Sequence, residues 1–120
     1  MKMREYLNVL KALGDENRLR IVMMLKVRSL CVCEMHEVLN IALSTISAHL
    51  KQMKNIGILD DEKDGRWVIY RLVKENTFFN GLLEVLEKEL QDNQRIQNDR
   101  RMISRITREI CAAGMKKSNV

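Results

Sequence analysis

The sequence predicts a mainly α-helical fold with one small β-hairpin, and three observations carry that reading. Apolar residues recur at three- and four-residue spacing along most of the 120 residues. The composition, 46% apolar but only 4% aromatic and without proline, suits helices better than sheets. One stretch alone, Trp67 to Val73, is rich in strand formers, and it follows an Asp-Gly turn signal. A chain of this length has room for one domain, whose core stays marginal unless a second copy covers more apolar surface.

The elements follow in order. Met3, Leu7, Leu10 and Leu13 mark a first helix, and Gly14-Asp15 supplies a stop and then a cap. From Glu16 to Lys26, Leu19, Ile21, Val22, Met23, Met24 and Leu25 cover most of the circumference, as in a central buried helix. Ser29 is expected to cap a third, short helix with Val32, Met35 and Leu39 on one face and Asn40 at its end. Leu43, Ile46, Leu50 and Met53 line a fourth helix that stops at Gly57. Two helices joined by so tight a turn form a helix-turn-helix. Ile58 to Glu62 pairs with Trp67 to Val73 around Lys63-Asp64-Gly65-Arg66, a hairpin placed as a wing.

From Thr77, Leu82, Leu83, Leu86 and Leu90 begin an amphipathic helix, and Met102, Ile103, Ile106 and Ile110 resume the stripe. Only Ile96 is apolar between Gln91 and Arg101, so the periodicity fits one long helix or two broken near Asn93 or Asn98. Either way, the final stripe is expected to cover a partner subunit rather than this chain's own core. The domain is expected to span 1–115, with 116–120 a flexible tail.

No apolar run approaches the roughly 20 residues of a membrane helix, and the first residues lack the apolar stretch of a signal peptide. The expected location is the cytosol, where three cysteines, an odd number, stay as thiols. No paired-carboxylate site, phosphate-cradling glycine loop or nucleophile with a base at usable spacing is present, so an enzyme is not expected and no cofactor is required.

The net charge of +5 is unevenly spread: residues 1–94 hold 14 basic and 14 acidic side chains, and the whole excess lies beyond them. More telling is the stretch from Val38 to Leu59, which has no acidic residue and therefore nothing that repels phosphate. With Ile46, Leu50 and Met53 turned inward, Ser44, Ala48, Lys51 and Asn55 face outward, flanked by Thr45, Ser47, Gln52 and Lys54. Short hydroxyl side chains and lysines on such a face suit the major groove of double-stranded DNA, with Lys63 and Arg66 at the wing tip placed for phosphate or the minor groove. A plain solvated helix face is the alternative on periodicity alone. His49, about 60° from the centre of the core stripe, is expected to be a partly buried structural histidine. Trp67 is expected to pack at the wing base.

Cys31 and Cys33 fall at the start of the third helix, where the helix dipole favours a negatively charged sulfur and where thiolates select soft ions. Two buried structural cysteines are the bland alternative. Residues two apart on an α-helix point about 160° from each other, so capture of one ion by both is expected to unwind the first turn of that helix. The third donor is either His36, one turn along, or Cys111, reachable only if the last helix folds back or comes from a partner.

Four stretches resemble the ArsR/SmtB family of metal-responsive repressors: Lys11-Ala-Leu-Gly-Asp-Glu-Asn-Arg-Leu-Arg-Ile21, Leu30-Cys-Val-Cys-Glu34, Ser44-Thr-Ile-Ser-Ala-His-Leu-Lys51 and Asp64-Gly-Arg-Trp-Val-Ile-Tyr-Arg-Leu72. Their joint order is far more specific than any one of them. The resemblance implies a winged-helix homodimer, paired through its first and last helices, that represses a resistance operon until an ion binds. Two positions depart from the family: His36 stands where arsenite-responsive members often carry a third cysteine, and Ala42-Leu43 stands where a polar cap and a glutamine are common. Arsenite or another thiophilic ion is the expected inducer, ahead of cadmium. The rival keeps the DNA reader and makes the cysteines a switch operated by oxidation or persulfidation.

Overall fold

Asp15 sets the start of the central helix, its carboxylate accepting the Arg18 N–H at 3.0 Å. The computed structural model describes residues 1–111. Helix α1 (Met3–Leu13) runs into α2 (Glu16–Leu25), where Ile21, Val22, Met23 and Met24 are all buried. The helix-turn-helix follows as α3 (Val32–Leu39) and α4 (Leu43–Asn55), with Asn40 between them in the left-handed region at φ 53°. Met35 from α3 and Ile46, Leu50 and Met53 from α4 join the same core. Gly57 (φ 81°) reverses the chain after α4, as its position suggests.

The wing is β2 (Leu59–Asp64) paired antiparallel with β3 (Trp67–Leu72). Gly65 (φ 62°) and Arg66 form a two-residue loop, so Gly65 takes the first loop position, where positive φ is needed.

Two expectations about the region before α3 are corrected. Ser29 is exposed and does not cap α3; the N-cap is Cys31. A two-residue strand that periodicity did not predict, β1 (Leu30–Cys31), pairs with Tyr70 and Ile69, giving a three-stranded sheet in the order β1-β3-β2. Two residues are too few to show alternation, and only the presence of β3 beside them makes them a strand.

In the C-terminal segment the second of the two expected alternatives holds. Asn93 caps a new helix by accepting the Ile96 N–H, so the stripe breaks into α5 (Thr77–Glu89) and α6 (Gln94–Ile103). Helix α6 folds back on α2 and α3, so that, contrary to expectation, part of the stripe covers this chain's own core. Ile96 and Ile103 are buried there, Ile106 packs against the core, and Met102 and Ile110 stay exposed. A bidentate pair between Arg20 and Asp99, at 2.9 and 2.8 Å, pins α6 to α2. Arg100 adds bonds to the Met23 carbonyl and to Glu87. Conversely, on α1 the buried residues are Val9 and Ala12, while Met3, Leu7 and Leu10 lie outside at 77%, 55% and 48% exposure. Residues 108–111 are again helical. The domain end expected at 115 and the tail at 116–120 lie outside the described residues.

Candidate thiol site and nucleic-acid interface

Cys31 lies in extended backbone (φ −93°, ψ 168°) as the last residue of β1, and Cys33 sits in the first turn of α3. That change of backbone between two residues turns both side chains the same way, and the two sulfurs stand 3.0 Å apart. The expectation that one ion reaches both only after the helix unwinds is therefore corrected: Cys31 was never inside the helix, so the 160° rule does not apply to it. Glu34 secures the corner by accepting the Cys31 N–H at 3.0 Å while its buried carboxylate pairs with Arg28 at 2.8 Å.

Beyond α6 the chain returns to this corner, where Cys111 is buried and close enough to act on the Cys33 thiol. His36 is half-buried one turn along α3, and among the described residues its side chain makes no hydrogen bond. Among the described residues no three His, Cys, Asp or Glu side chains are grouped so as to hold a metal ion.

Burial dominates the chemistry of these thiols. It pushes Cys31 up to about 12, helped by the hydrogen bond to Cys33. It pushes Cys111 up to about 11, with the Glu37 and Glu34 carboxylates acting the same way. Cys33 is raised as well, again chiefly by burial. The helix-dipole argument for a thiolate loses to desolvation, because Cys31 and Cys111 are buried and Cys33 is half-buried.

On the other side of α3, helix α4 presents Ser44, Thr45, Ser47, Ala48, Lys51, Gln52 and Lys54 to solvent. Lys51 has no salt bridge among the described residues, whereas Lys54 binds Asp61 of β2 at 2.8 Å. His49 is mostly buried, its ring 3.2 Å from an Arg18 nitrogen and 3.9 Å from Asp15, which matches the structural role expected for it. Lys63 and Arg66 are exposed at the wing, but the Arg66 guanidinium already lies 4.4 Å from the centre of the Trp67 ring.

A family profile described as "Bacterial regulatory protein, arsR family" matches residues 15–61. An arsenic resistance transcriptional regulator of Pseudomonas putida is 39% identical over 87 residues, covering 72% of this chain and 74% of the relative. The chain belongs to the ArsR family. A second arsenic resistance regulator of the same organism is 42% identical over 77 residues, and there the match spans 60% of the relative's length. A cadmium resistance regulatory protein of Listeria innocua is 41% identical over 61 residues, about half of each chain. Among solved structures, HlyU from Vibrio cholerae superposes with TM-score 0.66 at 28% identity, covering 74% of this chain and 97% of that one.

Membership in the ArsR family makes the chain a regulatory protein and not an enzyme, and it fits the observed helices and wing. The matched residues 15–61 run from the α2 cap through Cys31, Cys33 and α4 into β2, and leave Cys111 outside. Sequence reasoning found every thiol but missed three residues that build the site around them: Arg28, Glu34 and Arg108. Glu34 was legible as the third residue after the cap, the capping-box position, once Cys31 rather than Ser29 is taken as the cap.

Proposed function

We propose that this chain is a homodimeric transcription repressor that holds double-stranded operator DNA with α4 and the wing, and releases it when a thiophilic ion, arsenite in the first place, is captured by Cys31, Cys33 and Cys111. The observation that carries the reading is the 3.0 Å approach of two sulfurs at the junction of both DNA-facing parts. Cys31 is paired through its backbone with Ile69 of the wing strand, and Cys33 belongs to α3, which packs on α4. An ion bound there pulls on wing and reading helix together.

The raised thiols favour arsenite over a divalent cation. Arsenite brings its own hydroxides: each sulfur replaces one, the thiol proton leaves with it as water, and the product is a neutral tris-thiolate with arsenic still trivalent. A divalent cation needs bare thiolates and expels protons into solvent. With Cys31 and Cys111 held up to about 12 and about 11, that second route works against burial.

Ser44, Thr45, Ser47 and Lys51 serve as the major-groove face, Lys54 as a phosphate contact after leaving Asp61, and Lys63 and Arg66 as the wing's contacts. The exposed Met3, Leu7 and Leu10 of α1, with Val85 of α5 also exposed, give a second copy an apolar surface to cover. No helix among the described residues is long and apolar enough to cross a membrane, in keeping with a protein of the reducing cytosol.

The test is fluorescence anisotropy of the reduced protein on a labelled duplex from upstream of its own coding sequence. Binding lost on adding arsenite, but retained by Cys33→Ser, is the expected result; binding indifferent to arsenite refutes the inducer assignment. The same 3.0 Å contact also suits oxidation of the pair, the rival reading, and release by a mild oxidant with no ion added would favour it.

A further inference from the structure

Residues 104–111 form a strap that touches the thiol pair with its backbone and the wing with a side chain. The Cys33 thiol donates to the Arg108 carbonyl at 3.7 Å. The Arg108 guanidinium, on the same residue, binds Asp64 at the end of β2 at 2.7 Å and lies 4.7 Å from the centre of the Trp67 ring at the start of β3. Asp64 and Trp67 are partners in the sheet register on either side of the wing loop. One residue thus connects the ion-capturing sulfur to the wing tip.

We propose that Arg108 is a positioning residue that relays ion capture to the wing. The inference rests on the reading that Cys33 takes the ion. When arsenic replaces the thiol proton, an As–S bond forms, an As–O bond breaks and the proton departs in water. Cys33 then has no hydrogen to offer the Arg108 carbonyl, and two electron-rich atoms face each other where a hydrogen bond was. Cys111, at the end of the same strap, is drawn toward the ion at the same time. A cleft of about 700 Å³, lined by Arg28, Glu34, Asp64, Ile103 and Arg108, lies beside the strap and leaves space for it to move. Movement of the strap withdraws the guanidinium from Asp64 and Trp67, which frees the loop carrying Arg66.

Trp67 is the one tryptophan of the chain and reports the contact directly. The experiment uses the full, reduced chain and reads three signals: protection of thiols by arsenite against a disulfide reagent, Trp67 emission, and affinity for the duplex. In the unsubstituted protein arsenite should protect the thiols, shift Trp67 emission and weaken DNA binding by about tenfold or more, within the usual range of allosteric coupling. Arg108→Gln should keep thiol protection, emit without arsenite as the arsenite-loaded protein does, and lose most of the DNA response, to about threefold or less. Asp64→Asn, an exposed change that leaves the strap intact, should blunt the DNA response in the same direction, and Arg108→Lys should recover part of it by restoring the ion pair. Protected thiols with an unmoved Trp67 signal, or variants that release DNA as the unsubstituted protein does, would overturn the relay. Unprotected thiols would instead sink the inducer assignment on which it stands.

Discussion

Asp99→Ala tests whether α6 is a fixed part of the domain. Its carboxylate takes two bonds from Arg20, to Nε at 2.9 Å and Nη2 at 2.8 Å, and the side chains are only 5% and 11% exposed. The same bonds raise Arg20 further, so the guanidinium stays charged at any working pH. Removing the carboxylate leaves that charge buried with one long bond, to Asn17 at 3.4 Å. Breaking a buried pair from one side costs about 3–5 kcal/mol, a large share of the roughly 5–15 kcal/mol that holds a domain together. The chain has a less costly relief, since letting α6 swing away gives Arg20 water while exposing Ile96 and Ile103, which are now buried. The expected result is a lower urea midpoint, loss of amide protection over residues 96–103 ahead of α2, and faster alkylation of Cys111 under native conditions. The double variant Arg20→Met, Asp99→Leu should return most of the stability, because two apolar chains of similar volume carry no desolvation cost. A stability change under about 1 kcal/mol, with Cys111 still shielded, would refute the view that this pair anchors the helix.

The remaining expectations concern the cap, the reading face and the thiols. Asp15→Ala should cost about 1 kcal/mol through loss of the α2 cap. Hydrogen bonding to Arg18 holds the Asp15 carboxyl below its usual range, so its contribution is present above about pH 4 and is lost as pH falls; melting curves of the variant should depend less on acid. Lys51→Ala should weaken DNA binding evenly across sequences and reduce the salt slope by about one unit. Lys54→Ala should do less, because its ammonium must first leave Asp61; equal effects in a salt titration would show that the ion pair is irrelevant. The buried thiols contribute stability that is complete below about pH 9, their ordinary range, and is lost as pH rises toward about 12 for Cys31. A Cys31→Ala protein should therefore show a flatter alkaline melting limb. Across pH 6 to 8, arsenite affinity should stay nearly level while cadmium affinity climbs with pH, and calorimetry in two buffers should detect protons released by cadmium alone.

Periodicity located the helices to within a residue or two because each buries one stripe. Ile46, Leu50 and Met53 on α4 are the clearest case, and the outward face they define is the one observed in solvent. It also placed Asp15, Asn40 and the wing, whose signals are local backbone requirements. It did not decide what covers the stripe of α1 or the C-terminal stripe. Both looked alike in sequence, yet Met3, Leu7 and Leu10 stayed outside and Ile103 went in. An apolar stripe says that a face wants cover and nothing about which surface supplies it.

What the sequence by itself determined was the helix-turn-helix and wing, the outward face of α4 and the positions of the three cysteines. The tertiary structure alone decided how those sulfurs meet. Cys31 leaves the helix because β3 offers its backbone a strand partner, and α6 lies against α2 because Arg20, at the other end of the chain, holds Asp99. Both causes are contacts between residues far apart in sequence, and such contacts leave no period, cap or turn signal for a linear reading to find.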